Sequence, residues 1–385
     1  MPERRKGGFG APQEGGKRTL LSERDANLLR MACWCQYLSA DDAQSISSRE
    51  EIDDLLRMGL IKIHRNSGAY VLTGKGVALL SYMLDGKLPE ITQSYHPAAI
   101  KRRLRRSRFA LTVYQAGLNP FIGSTTQLQD EGTVFFTAFG RGRGQNPWGS
   151  TRIAAVVHMG GVIYAAHDLY PEIGPVTLTD ELTAFGNNTA HLDCARRGFL
   201  FAGDSYGGIL EELAREGTSK KTSKKVSYRE AYFALHDPVH LLSCDKVGSM
   251  QLKIMSIPHY RMKLTKAALM QHYRPPPADV PEWDAMYGGT PLILAADMDL
   301  RRVDAGIETA RVRGYAHAAL LALKDQADMI LYSRYGEDGF TEIYCITEAA
   351  LQRFAGGPME LHSAKPTQFL TLKGGVIDTP LIQSY

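Results

Sequence analysis

Cysteine is scarce in this chain, and long apolar runs are missing altogether. Five cysteines are scattered over 385 residues, and an odd, widely spaced set is typical of buried thiols in a reducing compartment rather than of a disulfide framework. No apolar run approaches the ~18–20 residues that span a bilayer. The charged segment 1–18 lacks the apolar stretch of a secretory signal and is expected to be a flexible tail. These absences predict a cytoplasmic protein with no membrane partner.

Motifs for common cofactors are also missing. The sequence has neither a P-loop lysine motif nor a dinucleotide-binding fingerprint, and its histidines do not show a metal-ligand spacing. We therefore expect neither a cofactor nor a metal. The hydrophobic content of 44% and the charged content of 22% are those of a globular chain with an ordinary core.

The positive charge lies mostly in the first part of the chain. Residues 1–150 hold 21 Lys and Arg against 14 Asp and Glu, a net charge of +7, whereas the remainder holds 24 against 27, a net charge of −3. Such an asymmetry favours a polyanionic partner for the N-terminal part.

The strongest concentration of positive charge lies in the segment KRRLRRSR, residues 101–108. On a helix, the less polar residues of this region form one stripe, namely Ile100, Leu104, Ser107, Leu111 and Tyr114. The basic residues are then expected to point away from that stripe, and no acidic residue lies between residues 91 and 129. The pattern predicts a docked helix at 97–116 with a positive outer face that contacts phosphates; a plain solvated face is the alternative.

The preceding region, residues 19–95, reads as a winged helix-turn-helix. The pattern predicts a capped helix at 23–38, a short second helix from Ser39, and a third helix at 47–59 that ends at Gly59. Alternating residues on both sides of Asn66-Ser67-Gly68 predict a hairpin, and a further helix follows Thr73. In this order the third helix enters the major groove and the hairpin is the wing.

The third predicted helix carries an unfavourable charge for this role. Its four acids outnumber its two arginines, so only its N-terminal end is suited to DNA. A protein-docking or dimerisation module is the alternative. The predicted DNA contacts are Ser48, Arg49, Arg57, Lys62, Arg65, Lys101, Arg102, Arg105, Arg106 and Arg108.

Three segments carry a resemblance to a known family: TLLSERDANLLRMACWCQYLSADDAQ, LLRMGLIKIHRNSGAYVLTGKG and HPAAIKRRLRRSRFAL. Together they resemble the replication-relaxation family of winged-helix proteins from plasmids and conjugative elements. The resemblance implies an α+β chain in which an N-terminal winged helix-turn-helix is followed by a mixed α/β domain, reminiscent of a degenerate nuclease-like fold. We expect that domain, with the basic helix, at 96–270, and an α/β continuation or small lobe at 282–385.

The second part of the chain offers residues for two catalytic chemistries, those of a nuclease and of a serine hydrolase. A nuclease needs two or three carboxylates and a lysine around Mg²⁺. The strands predicted on both sides of Met159-Gly160-Gly161 offer Asp168, and a later segment offers Asp297 and Asp299, but none of these acids has a lysine two residues away.

Ser205 lies in a G-x-S-x-G string that is typical of a hydrolase nucleophile or, alternatively, of a helix cap.

The sequence therefore predicts a non-catalytic DNA-binding protein of a plasmid or mobile element, acting in replication, transfer or their regulation. Double-stranded DNA is the expected partner, and a replication or transfer protein or a second copy of the chain remains open. The alternatives are a serine hydrolase that uses Ser205, an active nuclease, and a regulator that binds a small ligand in its α/β part.

Overall fold

The structure is a computed structural model that describes most of the chain. The described residues are 20–84, 88, 96–123, 125–137, 153–169, 185–187, 189–190, 192, 196–218, 225–227, 237–363, 369–371 and 376–377. The predicted tail at residues 1–18 lies outside them. The described stretches contain both helices and several sheets, so the chain is a mixed α+β protein.

The first part of the chain, which we call the head, covers residues 20–115 and is mostly helical. Its elements are β1 (Leu20–Ser22), α1 (Glu23–Cys35), α2 (Ala40–Gln44), α3 (Arg49–Arg57), β2 (Ile61–Ile63), β3 (Tyr70–Leu72), α4 (Gly74–Met83) and α5 (Pro97–Gln115). Strands β2 and β3 pair antiparallel, which confirms the predicted hairpin.

Serine caps determine where the first three helices begin. The hydroxyl oxygens of Ser22, Ser39 and Ser48 each accept a hydrogen bond from the backbone N–H three residues later, at 3.1–3.3 Å. Helix α1 ends where Gln36 adopts a left-handed backbone with φ of 65°. Helix α3 is followed by Gly59 with φ of 66°, which confirms the predicted stop.

A five-stranded sheet follows the head. Its strands are β4 (Thr133–Phe136), β5 (Ile153–Met159), β6 (Val162–Asp168), β7 (Arg197–Gly203) and β10 (Val239–Ser243), and a separate hairpin is formed by β8 (Glu216–Thr218) and β9 (Lys225–Ser227). The sheet order is β10-β7-β6-β5-β4. Strands β4, β5 and β6 are mutually antiparallel, whereas β6, β7 and β10 are parallel. The predicted tight turn between β5 and β6 is present at Gly160 and Gly161, whose φ angles are 60° and 73°.

Helices connect the parallel strands and lead to a second sheet. They are α6 (Tyr206–Ala214), α7 (Lys246–Met255) and α8 (Tyr260–Leu269). The second sheet contains β11 (Ala285–Tyr287), β12 (Thr290–Leu294), β13 (Ala318–Ala322) and β14 (Thr341–Cys345), in that order. Its helices are α9 (Leu300–Val312), α10 (Lys324–Gln326), α11 (Tyr332–Tyr335) and α12 (Glu348–Ala355).

The two sheets share a core. Phe199 of β7 and Ile293 of β12 belong to one buried apolar cluster, which also contains residues of β13. The buried Tyr206 hydroxyl donates to Gln251 Oε1 at 2.7 Å and accepts from Gln326 Nε2 at 3.1 Å. Because these three side chains come from α6, α7 and α10, the segment after residue 282 continues the same body rather than packing as an unconnected lobe.

The last described strands return to the head. Strand β15 (Phe369–Thr371) pairs antiparallel with β1 on one side and with β16 (Val376–Ile377) on the other. Just before them, the backbone N–H of His362 donates to the Gln115 carbonyl oxygen at 2.7 Å. Among the helices of the described residues, none combines the length and apolar character needed to cross a membrane.

Candidate functional site

The N-terminal half of α5 packs directly against the β2–β3 hairpin. Ile100 of α5 is buried together with Tyr37, Ala69 and Val71, and Leu104 packs against them. We call this set the Tyr37 cluster. It fixes the first turns of α5 beside the hairpin, so cations on the two elements lie along neighbouring surfaces.

Aromatic contacts support the same arrangement. The Tyr37 ring meets the His64 ring edge-on with centroids 5.2 Å apart. The Arg103 guanidinium carbon lies 5.8 Å from the centre of the Tyr37 ring, within the range of a cation–π contact. Burial lowers the pKa of Arg103, and the neighbouring Arg102 adds to this effect. The contact with the Tyr37 ring places Arg103 at the junction between hairpin and helix.

Four exposed cations surround this junction. Lys62 pairs in register with Val71, and directly paired residues of antiparallel strands point to the same face. Because Val71 belongs to the Tyr37 cluster, Lys62 lies on the hairpin face that is turned towards α5. Arg65 is exposed near the hairpin turn, and Lys101 and Arg102 are exposed on α5. We call Lys62, Arg65, Lys101 and Arg102 the basic edge.

The exposed face of α3 has the opposite character. Its exposed acids are Glu50, Asp53 and Asp54, and Arg57 forms an ion pair with Asp54. Only Arg49, at the N-terminal end, is an exposed cation outside that pair. A polyanion is therefore repelled by most of this face.

The Ser48 side chain has a structural role in the same helix. Its hydroxyl accepts from the Glu51 N–H at 3.3 Å, and its own N–H donates to Glu51 Oε2 at 2.7 Å. This reciprocal pair is a capping box. Glu51 also pairs with Arg24 of α1 at 3.2 Å, which holds the start of α3 against α1.

The expected orientation of the later arginines of α5 is wrong. Arg105 and Arg106 are partly buried, and Arg105 Nε lies 3.5 Å from Asp168 Oδ2, with side chains only 15% and 13% exposed. Arg108 lies between Asp204, at 3.1 Å, and Asp42, at 3.8 Å. The helical stripe was predicted correctly, since Ile100, Ser107, Leu111 and Tyr114 are buried. However, acids distant in the sequence pair with Arg105 and Arg108 on the face that was predicted to contact phosphates.

Three acids lie at or near the carboxyl ends of the parallel strands. Asp168 ends β6, Asp204 directly follows β7, and Asp245 lies two residues after the end of β10. Burial raises the pKa of Asp168 to about 6, although the positive charges of Arg105 and Arg106 act in the opposite direction. The desolvation of this carboxylate thus outweighs its attraction to the arginines.

The same cluster lacks the arrangement of a metal-dependent nuclease. Asp245 Oδ1 accepts from the Gly248 N–H at 2.9 Å and caps α7, and Asp168 forms an ion pair with Arg105. In the described part of the chain, no group of three or more His, Cys, Asp or Glu side chains could hold a metal ion. The arginines and acids instead join α5 to the sheet.

Ser205 is the N-terminal cap of α6. Its hydroxyl oxygen accepts from the Gly208 N–H at 3.1 Å, and its backbone is extended, with φ of −157°. A hydrolase nucleophile of the G-x-S-x-G type lies instead on a strained turn and is hydrogen-bonded to a histidine. Within the described residues, no histidine donates to or accepts from this hydroxyl, so the geometry is that of the predicted cap.

Sequence reasoning missed several residues that hold α5 in place. Tyr37 was not singled out, because an aromatic residue at the end of an amphipathic helix has the pattern of any core residue. Asp42 and Asp204 were missed as partners of Arg108, because no local signal connects residues so far apart in the chain. The available signal for these ion pairs was the position of two acids: Asp168 and then Asp204 each come at the end of a strand.

Comparison of the chain with family models, curated proteins and solved structures found no match.

Proposed function

We propose that this chain is a non-catalytic protein that binds double-stranded DNA through a head of the winged helix-turn-helix type. The observation that carries the proposal is the Tyr37 cluster, which brings the cations of the hairpin and of α5 together. A single exposed lysine is ordinary, whereas exposed cations on two packed elements provide a surface for a phosphate backbone.

In this proposal the hairpin is the wing, and α5 is a second phosphate-binding element beside it. Helix α3 approaches DNA only through Ser48 and Arg49 at its N-terminal end, because the remainder of its exposed face is acidic. Arg105 and Arg108 bind Asp168 and Asp204 and hold α5 in place rather than contacting DNA.

The proposed setting is the cytoplasm and the replication or transfer of a plasmid or mobile element, or the regulation of these processes. The resemblance of the head segments to replication-relaxation proteins supports this setting. The mixed α/β part then serves as a scaffold on which the head is mounted, because α5 belongs to the head and is joined by ion pairs to the sheet.

The salt dependence of binding tests the proposal. Each phosphate neutralised by a cation contributes about −0.9 to the slope of log K against log salt concentration, so four contacts give a slope of about −3.6. The variant Lys101→Ala/Arg102→Ala should weaken binding to a fluorescently labelled duplex and make the slope less steep by about 2. Fluorescence anisotropy across a range of NaCl concentrations measures both quantities.

A matched control removes two exposed lysines elsewhere. Lys263 lies on α8 and Lys324 on α10, and both are exposed. Lys263→Ala/Lys324→Ala changes the net charge equally and should leave the slope unchanged. An unchanged slope in the basic-edge variant, or an equal change in the control, would remove the basic edge from the interface.

The acidic face of α3 favours a second candidate, in which the head docks a basic protein surface or a second copy of the chain. The variant Glu50→Gln/Asp53→Asn distinguishes the two. If α3 lies near DNA, removing these charges should increase affinity for the duplex. If affinity for DNA is unchanged and self-association or capture of a basic protein is lost, the docking role is favoured.

A further inference from the structure

A cleft lies at the end of the five-stranded sheet opposite to the docking site of α5. Its volume is about 630 Å³, within the range of small-molecule sites. Val162 and Arg197, at the starts of β6 and β7, line it, whereas Asp168 and Asp204 lie at the other ends of those strands. The second sheet contributes the segment between β12 and α9. The cleft is therefore separate from the basic edge.

An ion-pair network forms part of the buried floor. Arg302 donates to Asp284 Oδ2 at 2.8 Å and to Asp297 Oδ1 at 3.2 Å. The Tyr260 hydroxyl donates to Asp297 Oδ2 at 2.7 Å, and Arg261 Nε donates to Asp284 Oδ1 at 2.8 Å. These cations and donors hold the pKa of Asp297 at about 2 despite its burial. Asp297 is therefore ionised at neutral pH and paired with Arg302.

His240 presents an unused hydrogen-bond acceptor to this cleft. The residue is only 3% exposed and lines the cavity. Its Nδ1 lies 2.8 Å from the Asp297 carbonyl oxygen. Nδ1 also lies 4.0 Å from Asp297 Oδ2. Because a carbonyl oxygen only accepts, Nδ1 carries a proton, and whenever the ring holds a single proton Nε2 is the acceptor. No described residue donates to Nε2, and this atom is not among the buried side-chain atoms without a hydrogen-bond partner. Because the His240 side chain lines the cleft, we infer that Nε2 is turned towards it.

Asp299 provides a second acceptor, and the backbone beside it is strained. Its Oδ1 caps α9 by accepting from the Arg302 N–H at 3.2 Å, and no described residue donates to Oδ2. Met298, between the two acids, has φ of 55°, and His259 on the rim has φ of 59°. Such left-handed conformations of non-glycine residues are costly and concentrate at functional sites.

The remaining lining determines the class of ligand. Tyr164, Tyr260 and Tyr273 offer aromatic surface, and Arg196 and Arg197 add positive charge at the start of β7. A ligand that fits has a planar part for stacking, N–H donors for His240 Nε2 and Asp299, and an anionic group for the arginines. A small aliphatic amino acid would leave most of this volume empty and lacks the planar surface.

We propose that this cleft is a binding site for a nucleoside phosphate, with the donor-bearing edge of the base on His240 and Asp299 and the phosphate at Arg197. The site differs from a P-loop. A P-loop binds the phosphates through the backbone of a glycine-rich loop, whereas here side chains bind both the base and the phosphate. It does not depend on the proposed function, since none of its residues belongs to the head.

Calorimetric titration of the full chain tests this site with purine and pyrimidine nucleoside monophosphates and the corresponding nucleosides. At least one nucleotide should bind, and its nucleoside should bind about tenfold or more weakly, because it lacks the charge-assisted contact. Arg197→Ala should remove this difference by weakening only the nucleotide. A nucleotide and a nucleoside that bind equally to the wild-type chain would overturn the placement of the phosphate.

His240→Asn tests the base contact. The asparagine amide can still donate to the Asp297 carbonyl oxygen but lacks the ring acceptor, so affinity for nucleotide and nucleoside should both fall about tenfold. The control His317→Asn, at an exposed position outside the cleft, should bind as the wild type. If His240→Asn does not fold, Arg197→Ala still tests the site.

Three results would overturn the proposal. The first is the absence of heat and of thermal stabilisation with every nucleotide at millimolar concentration. The second is a sugar phosphate without a base that binds as tightly as the nucleotide. The third is loss of nucleotide binding in Lys101→Ala/Arg102→Ala, which would assign the binding to the basic edge.

Discussion

The buried carboxylate of Asp168 should make the stability of this protein depend on pH in a way that one substitution removes. Burial at the end of β6 raises its pKa to about 6 from an ordinary value of 3.8. In the unfolded chain the group ionises near the ordinary value. Between these two pH values the folded state holds a proton that the unfolded state has released, so the free energy of unfolding falls as the pH rises.

The magnitude follows from the two pKa values. A folded-state pKa of about 6 against 3.8 corresponds to about 3 kcal/mol, and the low exposure of both Asp168 and Arg105 means that solvent screens this little. Asparagine resembles the protonated carboxyl group and does not ionise. Asp168→Asn should therefore be similar to the wild type near pH 4 and more stable by about 3 kcal/mol at pH 7.5.

Urea unfolding of both proteins at several pH values between 4 and 8 measures the difference. The control Asp204→Asn removes an acid that also pairs with an arginine of α5 but whose side chain is 70% exposed. Its effect should be small at every pH. A difference between Asp168→Asn and the wild type that is independent of pH, or a variant that is less stable at pH 7.5, would refute the reasoning.

Two further predictions concern the packing of the α/β body. Tyr206→Phe should destabilise by about 1–3 kcal/mol in urea unfolding, because Gln251 and Gln326 lose their buried partner, whereas Tyr82→Phe, at a residue that is 63% exposed, should be neutral. Gly248→Ala would place a Cβ 1.7 Å from the Ser243 carbonyl oxygen and should destabilise by more than about 3 kcal/mol. Gly207→Ala, where a Cβ meets nothing within 4 Å, should be neutral or slightly stabilising in the same assay.

Local signals predicted the local structure of this chain well. The Asn66-Ser67-Gly68 turn, the stop at Gly59 and the helix after Pro97 depend on residues close in sequence, and each is present with bounds within a few residues of the prediction. The apolar stripe of α5 was also predicted, because periodicity on a helix needs no knowledge of the partner.

The environment of the arginines could not be predicted in the same way. Whether Arg105 faces solvent depends on Asp168, which lies 63 residues later in the sequence and which the fold brings to 3.5 Å from the Arg105 Nε atom. A run of like charges does not show which members meet buried acids. The sequence therefore predicted one continuous cationic face on α5. In the structure, Lys101 and Arg102 at its start are exposed, whereas Arg105 and Arg108 further along form ion pairs with acids.

The pairing of β1 with β15 has a consequence for how this protein can be divided. The head contains two separate portions of the chain. Strand Leu20–Ser22 pairs with Phe369–Thr371, and the backbone at the end of α5 is hydrogen-bonded to His362. A fragment cut after residue 116 would expose an unpaired strand edge and would be prone to aggregate. A chimaera that carries this head on another protein would therefore have to include both portions of the chain.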